Sequence, residues 1–417
     1  MSNTETDNII VNKTKKYKWA PPDVQLINEP IGFDDSSDVS RSNVESLGGR
    51  VKLVDQLDGL DLFCYVKCSN DDNAFLKKCR GVAFNGDKLV LSSFPFTPEF
   101  SDTDVDSIRE MLGENFENCS FYDSYEGALI RVFNFSGKWY TSTHRKLNAS
   151  NSKWASRQSF GLCFSNALEH EITINQEFKD SLPAGELSVV DKFYSTLDVS
   201  KQYMFLVLNN RENRIVCDPQ EGSKLYHVGT FVDGVCSLDK NTLLSYPKKH
   251  TFSNIDELLD YVRSCDIKKI QGVVAFTSTN KQFKIVNKTY QDMFCIRGNE
   301  PSVKFRYLQV RRDNKQTEML SLLYPEFSPV FLEYENSISS ISKNIYKAYV
   351  NRFIKKAYTS VSHEEFQVMK ACHTWHISNR TDNRISLGKI LEILNNQTPT
   401  ALNHMIRRYH IENSVVN

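Results

Sequence analysis

Two sets of polar residues in this sequence have types and spacings that could do chemistry. Ser124 could act as a nucleophile if a base took its proton, and His144, 20 residues later, is the only candidate base. Cys372, His373 and His376 lie at three- and four-residue intervals on a predicted helix, a spacing that a metal site can use. No acid stands at a matching distance from them. Packing into a helical core is therefore the favoured interpretation of the second set.

The ten cysteines are scattered and show no paired CxxC spacing. Cys64 and Cys68 are four residues apart, but no second pair stands where it would close a zinc site. Reduced thiols are typical of a reducing compartment. The start of the chain lacks an apolar signal core, and no stretch approaches the ~20 apolar residues that span a bilayer. These features predict a soluble intracellular protein, cytoplasmic or nuclear, with no membrane contact.

The charge balance limits what kind of RNA binding is possible. The 51 basic residues equal the 51 acidic residues, whereas proteins that coat nucleic acid carry a basic excess. The sequence therefore disfavours tight, nonspecific RNA coating. Any RNA or nucleotide site must be a local patch.

The elements that would position such a patch fall into three parts. Residues 1–45 are rich in Asn, Asp, Ser and Pro and are predicted to form a flexible polar arm. In residues 46–312, short runs rich in Val, Phe and Tyr alternate with turn signals, and two capped helical segments, SDTDVDSIREMLGENF and SNIDELLDYVRSC, lie between them. This pattern predicts an α+β domain.

Residues 313–417 show helical spacing and predict a separate all-helical domain. One face of its longest predicted helix is apolar, and basic residues lie largely elsewhere. The basic residues could contact RNA or form a solvated helical face, and the sequence leaves both open. The apolar positions are Ile338, Ile341, Ile345, Tyr349 and Phe353, and the basic ones are Lys343, Lys347, Arg352 and Lys356.

Four segments, in order, resemble the phage-type RNA ligases that repair broken tRNA, a family of covalent nucleotidyltransferases. They are LKKCRGVAFNGDKLVLSSFPFTPEF, FYDSYEGALIRVFNFSGKWYTSTHRKL, QYMFLVLNNRENRIVC and KIQGVVAFTSTNKQFKIVNKTY. The resemblance covers roughly residues 60 to 380. It implies a nucleotidyltransferase core of antiparallel sheets with helices, followed by a C-terminal helical domain. Ligases of this type are common in viruses, which is compatible with a viral origin.

The resemblance also implies a reaction. In the family, a lysine amine attacks the α-phosphorus of ATP and forms lysyl-AMP, with metal ions neutralising the phosphates. The AMP then passes to an RNA 5′-phosphate, which a 3′-hydroxyl attacks. Two carboxylates help to hold sugar and metal, and lysines on the last strand grip the phosphate.

This sequence departs from the family at most of the reacting positions. Ser124 stands where the nucleophilic lysine belongs, and no lysine lies between Lys88 and Lys138. Leu206 and Gln271 replace the two carboxylates. Lys138 is one substitute nucleophile to consider, although a solvated turn lysine is the simpler interpretation. Two other phosphate-gripping positions are also changed, to the Tyr140-Thr141-Ser142-Thr143 run and to Val286.

A framework of nucleotide- and phosphate-binding positions survives. Arg80 could pair with a phosphate or with a neighbouring carboxylate, and Lys284 stands on the strand whose lysines grip phosphate in the family. Glu126 could hydrogen-bond a ribose, and Phe205 could stack on a base. Retained glycines would allow close backbone approaches. The retained candidates are Arg80, Glu126, Gly127, Phe205, Gly272 and Lys284, beside the Asn213-Arg214-Ile215-Val216 run.

These observations predict a catalytically degenerate RNA-ligase-like protein that serves as an RNA- or nucleotide-binding module or as an assembly component. One alternative is an active ATP-dependent RNA ligase with an unorthodox nucleophile, which would use ATP and Mg²⁺ to join 5′-phosphate and 3′-hydroxyl ends. A second alternative is a structural scaffold that binds no nucleotide. The expected partners are RNA, as 5′-phosphate ends or tRNA, and other proteins.

Overall fold

The computed structural model describes residues 38–238, 240, 242–277 and 281–414. The polar arm predicted for residues 1–45 lies almost wholly outside them. At its end, Arg41–Ser46 forms a short helix, α1, whose N-cap Ser40 accepts a hydrogen bond from the Asn43 backbone NH.

The strands are short, as the alternation of apolar runs and turns predicts. In chain order they are β1 (Val51–Leu57), β2 (Leu60–Tyr65), β3 (Arg80–Asn85), β4 (Lys88–Leu91), β5 (Glu99–Ser101), β6 (Ser120–Ser124), β7 (Gly127–Phe135), β8 (Lys138–Ser142), β9 (Gln202–Leu208), β10 (Leu225–Val232), β11 (Val235–Ser237), β12 (Lys249–His250), β13 (Gly272–Phe276) and β14 (Gln282–Val286).

Three sheets form from these strands, in the orders β1-β2-β3-β4, β11-β10-β9-β7-β8 and β12-β6-β13-β14-β5. The pairs are antiparallel except β5 with β14, which run parallel. Since parallel neighbours need a long crossover, this pair joins residues far apart in the sequence. The chain passes directly from one five-stranded sheet to the other at residues 124–127, where β6 ends and β7 begins. The candidate site lies beside this link between the two sheets.

The remaining helices are α2 (Ala74–Lys78), α3 (Val105–Leu112), α4 (Phe160–Ile174), α5 (Gln176–Ser181), α6 (Val189–Tyr194), α7 (Ile255–Ser264), α8 (Lys288–Arg297), α9 (Val303–Val310), α10 (Asn314–Leu323), α11 (Ser328–Tyr349), α12 (His363–Ser378), α13 (Leu387–Asn395) and α14 (Pro399–Ser414). A π-helical turn, Val350–Ile354, extends α11. Among the described residues, no helix is both long and apolar enough to cross a bilayer.

The α+β class and the C-terminal helices are confirmed. The two helical segments predicted within residues 46–312 correspond to α3 and α7, whose buried leucines and isoleucine share one core with β6 and β13. Helices α4 to α6 were not predicted. They cover the second sheet, where the buried residues of α4, Phe164 and Leu168 among them, pack on β7 and β9. In α11, the four predicted positions from Ile338 to Tyr349 are buried and Phe353 is partly buried against the same core, as the helical spacing predicts.

Candidate functional site

A cavity of about 320 Å³ opens between the two five-stranded sheets. Its lining includes residues of β6 and β14 from one sheet and of β7 and β9 from the other. Six of the sequence-derived positions line it, although they are spread over more than 200 residues of the chain. The six are Arg80, Ser124, Gly127, Leu206, Gln271 and Lys284.

A hydrogen-bonded chain of four side chains runs along one wall. The Ser124 hydroxyl donates to Gln271 Oε1 at 3.1 Å. Lys284 Nζ donates to the same oxygen at 3.2 Å and to Glu99 Oε1 at 2.9 Å. Ser124 is 2% exposed, so its hydroxyl is committed to this chain. The position at which the sequence resemblance expects an amine therefore holds a neutral, hydrogen-bonded hydroxyl.

A buried guanidinium supports the Arg80 side of the cavity. Arg131 donates to the carbonyl oxygens of Gly81 and Thr143 and ties β3 to the end of β8. Burial lowers the pKa of Arg131 to about 9, since water no longer solvates its charge. Arg80 itself lines the cavity and donates to Pro95 O at 3.3 Å.

His144 cannot serve Ser124 as a base. Burial lowers the pKa of His144 to about 3, and the nearby charges of Arg80 and Arg131 add to this effect. The imidazole is therefore neutral, but His144 is not among the described residues that line the cavity. The hypothesis of a Ser124–His144 pair is wrong, because the Ser124 hydroxyl donates its hydrogen bond to Gln271 and not to His144.

Lys138 is also remote from the cavity. Its ammonium pairs with Asp58 at 2.6 Å and lines a separate depression beside Trp139 and Tyr194. The geometry contradicts Lys138 as a substitute nucleophile. Within the described chain, Lys284 is the one lysine that lines the cavity.

Phe205 does not face the cavity. Its ring is fully buried on the opposite side of β9, where it packs against Phe164, Phe193 and His227. Side chains alternate along a strand, so the neighbouring Leu206 faces the cavity instead. The expectation that Phe205 stacks on a base is therefore wrong.

Other aromatic side chains line the cavity, and the sequence did not single them out. Tyr122 and Phe276 meet edge to face at 5.9 Å on one wall. Tyr125 stacks on Tyr226 at 4.7 Å beside it. The remaining aromatic residues of the lining include Tyr65, Phe94, Phe96 and Tyr246. Side chains alternate along β6, so Tyr122 lies on the same face as Ser124. This two-residue spacing in the sequence could have identified Tyr122 as a cavity residue.

Glu126 is buried in a structural network and is only 4% exposed. Its carboxylate accepts hydrogen bonds from the Val216 NH at 2.7 Å, the Ile215 NH at 3.3 Å and the Tyr290 hydroxyl at 2.7 Å. Burial raises the pKa of Tyr290, and the Glu126 charge raises it further. Because these donors occupy the carboxylate, the expectation that Glu126 holds a ribose is wrong.

The retained glycines act through close backbone contact, as expected. Gly272 has φ +145°, and a Cβ added there would lie 2.1 Å from Ile285 O. A Cβ on Gly127 would lie 2.4 Å from Val207 O. Glycine is needed at both places because backbone occupies the space of a side chain.

Two acidic residues near the cavity were not predicted. Asp123 is buried and accepts hydrogen bonds from Tyr261 at 2.7 Å and Tyr125 at 3.3 Å, with His250 Nε2 2.9 Å from it. Glu99 pairs with Lys284. No local pattern marks Glu99, because its partner lies 185 residues later on the parallel strand.

The contacts of Cys372, His373 and His376 in α12 agree with the interpretation that these residues pack into the helical core. Cys372 is fully buried, His373 stacks on Phe353 at 3.9 Å, and His376 Nδ1 lies 2.6 Å from Asn383 O. In the part of the chain that the structure describes, no group of three or more His, Cys, Asp or Glu residues is arranged to hold a metal ion.

Comparisons with known proteins agree with the motifs. No family model matches the chain. Over 344 residues it is 28% identical to an immediate-early protein ICP-46 homolog of Invertebrate iridescent virus 3, covering 80% of this chain and 73% of the relative. It is 22% identical to a candidate bifunctional polynucleotide kinase/RNA ligase of Autographa californica nuclear polyhedrosis virus, covering 63% of this chain and 37% of the relative. The chain resembles RNA ligases.

Solved RNA ligases show a more distant likeness. An archaeal ATP-dependent RNA ligase is 12% identical with a TM-score of 0.42, covering 72% of this chain and 79% of that one. A Naegleria gruberi RNA ligase is 11% identical with a TM-score of 0.30. The match covers 45% of this chain and 55% of that one. The two sequence relatives are viral, which supports the viral origin expected above.

The Glu126 network predicts a stability effect. Glu126→Ala removes the acceptor from two backbone NH groups and a buried hydroxyl, and we expect a loss of about 3 kcal/mol in the free energy of unfolding. Tyr290→Phe should cost about 1.5 kcal/mol, since it removes one hydrogen bond to a charged group. Urea unfolding followed by circular dichroism measures both. The exposed Glu186→Ala is the control, and a Glu126→Ala protein as stable as this control would refute a structural role.

Proposed function

We propose that this chain is a catalytically degenerate RNA-ligase-like protein that binds RNA or a nucleotide in the cavity without forming a covalent adenylate. The observation that carries the proposal is the Ser124–Gln271 hydrogen bond at the position of the family's attacking amine. A serine hydroxyl needs an adjacent base to attack phosphorus, and Gln271 Oε1, an amide oxygen, accepts a hydrogen bond but is too weakly basic to take the proton.

The charges of the cavity support binding of a single phosphate better than binding of a triphosphate. Among the described residues that line the cavity, Arg80 and Lys284 are the arginine and the lysine, and Glu99 and Asp123 are the carboxylates. Lys284 is already paired with Glu99. Leu206 and Gln271 contribute no carboxylate for the metal that would offset a triphosphate. A 5′-phosphate at the end of an RNA strand demands less charge compensation.

The aromatic lining supports a nucleic-acid ligand. Tyr65, Phe96, Tyr122 and Phe276 offer ring faces or edges in the same cavity as Arg80. Bases of any identity can stack on such rings, and an arginine adds a phosphate contact. A small aromatic cavity with two cationic side chains, Arg80 and Lys284, is also the kind of local patch that a chain of zero net charge can carry, although Glu99 and Asp123 line it too.

One observation favours the alternative of an active ligase. Lys284 Nζ shares the Gln271 oxygen with Ser124, so an amine lies within a few ångströms of the vacated nucleophile position. In that case ATP and Mg²⁺ would be the cofactors. The labelling experiment below separates the two functions, and the binding experiment separates both from a scaffold that binds no nucleotide.

The domain division belongs to the same proposal, with an arm at residues 1–45, a ligase-like core at 46–312 and a helical domain at 313–417. Support comes from a core cluster in which α10 to α14 pack together. The cluster also takes in Val216 and Tyr290, so the helical part would rest on the ligase-like part. Participation in tRNA repair, protein partners and a cytoplasmic or nuclear location remain predictions.

The first expected outcome is that no covalent adenylate forms. Protein incubated with α-labelled ATP and Mg²⁺ should carry no label after denaturation, because position 124 has no amine. Label that disappears in Ser124→Ala or in Lys284→Ala would contradict the proposal and identify the nucleophile. Lys138→Ala is the control, since Lys138 lies outside the cavity.

The second expected outcome is that Ser124→Lys alone does not restore ligation of a nicked RNA. Leu206 and Gln271 still leave the metal and sugar without carboxylates, and each such loss lowers a rate by roughly a hundredfold or more. The triple variant Ser124→Lys, Leu206→Glu, Gln271→Glu should be more active than the single one, once circular dichroism shows that both fold. Efficient ligation by the single variant would show that the other departures matter little.

The third expected outcome concerns binding. A short 5′-phosphorylated RNA should bind with an affinity that falls steeply with salt, while ATP with Mg²⁺ should bind more weakly. Arg80→Ala and Lys284→Ala should each weaken RNA binding, and Lys138→Ala should not. Titrations at two salt concentrations test this. ATP binding without RNA binding would favour the enzyme, and binding of neither ligand would favour the scaffold.

A further inference from the structure

The ion pair of Lys284 with Glu99 occupies one of the two cations that a phosphate in the cavity would need. Glu99 Oε1 lies 2.9 Å from Lys284 Nζ, and both residues line the cavity. Gln271 Oε1 takes a second ammonium hydrogen at 3.2 Å. Lys284 therefore has an internal anionic partner at the distance a ligand phosphate oxygen would adopt.

The backbone fixes Glu99 in this position. Glu99 of β5 stands directly opposite Lys284 of β14 in the parallel pairing, and the Lys284 NH donates to Pro98 O at 2.8 Å. Asn70 holds the other side of Glu99, donating to its carbonyl oxygen at 2.8 Å and accepting from its NH at 3.2 Å. The backbone of Glu99 is thus held on both sides, which keeps its carboxylate within reach of the Lys284 ammonium.

The side chains of the pair are nevertheless able to separate. The Glu99 side chain is 51% exposed and that of Lys284 is 25% exposed, so Glu99 can rotate into water without leaving a buried charge. Across the cavity, Arg80 makes no ion pair with any described residue and donates only to Pro95 O. The two cations are therefore unequal, one open and one masked.

We propose that Glu99 is a specificity-determining residue that masks Lys284 until a terminal phosphate displaces it. This inference rests on the proposed binding function and names its ligand class, a phosphomonoester at an RNA 5′ end. Arg80 receives the phosphate first, and the second negative charge of the monoester then replaces the Glu99 carboxylate on Lys284. A 5′-hydroxyl end has no such charge, so it leaves the ion pair intact.

The test is the titration of Glu99→Gln with one short RNA in two forms, 5′-phosphorylated and 5′-hydroxyl. Gln keeps the size of the side chain and removes the competing charge. A partly exposed ion pair of this kind corresponds to about fivefold in affinity. We expect about fivefold tighter binding of the phosphorylated RNA, shrinking with added salt, and unchanged binding of the hydroxyl form.

Two further variants isolate the cause. Asp58→Asn removes the same charge from the Lys138–Asp58 pair, which lies outside the cavity, and should leave both affinities unchanged. In a Lys284→Met background, Glu99→Gln should lose its effect, since no masked cation remains.

The outcomes separate the inference from the function on which it rests. The masking role is overturned if wild type binds RNA and Glu99→Gln binds no more tightly. It is also overturned if Glu99→Gln tightens binding of both RNAs equally, or if Asp58→Asn tightens binding as much. Each of these outcomes leaves the binding function standing. Failure of wild type and Glu99→Gln alike to bind either RNA overturns the proposed function and the masking role together.

Discussion

The buried carboxylate of Glu126 is the interaction on which the arrangement of the site depends. It lies in the link between β6 and β7, where the chain passes from one five-stranded sheet to the other. Its oxygens hold the NH groups of Ile215 and Val216 and the hydroxyl of Tyr290 at the start of α8. A buried charge is tolerated only with such a set of donors. The link between the sheets is therefore fixed to two distant parts of the chain.

The segment of residues 214–216, which Glu126 holds, also connects the sheets to the C-terminal helices. The Tyr324 hydroxyl contacts the carbonyl oxygens of Arg214 and Ile215 at 2.9 and 2.6 Å, and the buried Arg297 donates to that hydroxyl at 2.8 Å. Glu126 and the segment from Arg214 to Val216 therefore hold the architecture of the site together.

The cavity side chains stand on this fixed frame. Ser124 and Leu206 present a hydroxyl and an apolar side chain, and Gln271 keeps an oxygen but no charge. Each of these side chains lies on the cavity wall. Gly127 and Gly272, by contrast, face backbone within 2.4 Å or less of any added Cβ. Chemistry and architecture thus reside in different residues of the same motifs.

The sequence by itself determined the α+β class and the helical C-terminal part, and it showed a serine at position 124, where the resemblance expects an amine. It could do so because strand alternation, helical spacing and a serine in place of lysine are local properties. Only the tertiary structure decided which way the retained side chains face. The resemblance assigns both Phe205 and Glu126 to a ligand. Phe205 lies in the core instead, since a change of face needs only one residue of strand register. Glu126, in the link between two strands, binds backbone NH groups and the Tyr290 hydroxyl. Glu99 became visible only when the parallel pairing of β5 with β14 brought it to Lys284, because a contact across 185 residues leaves no local pattern in a sequence.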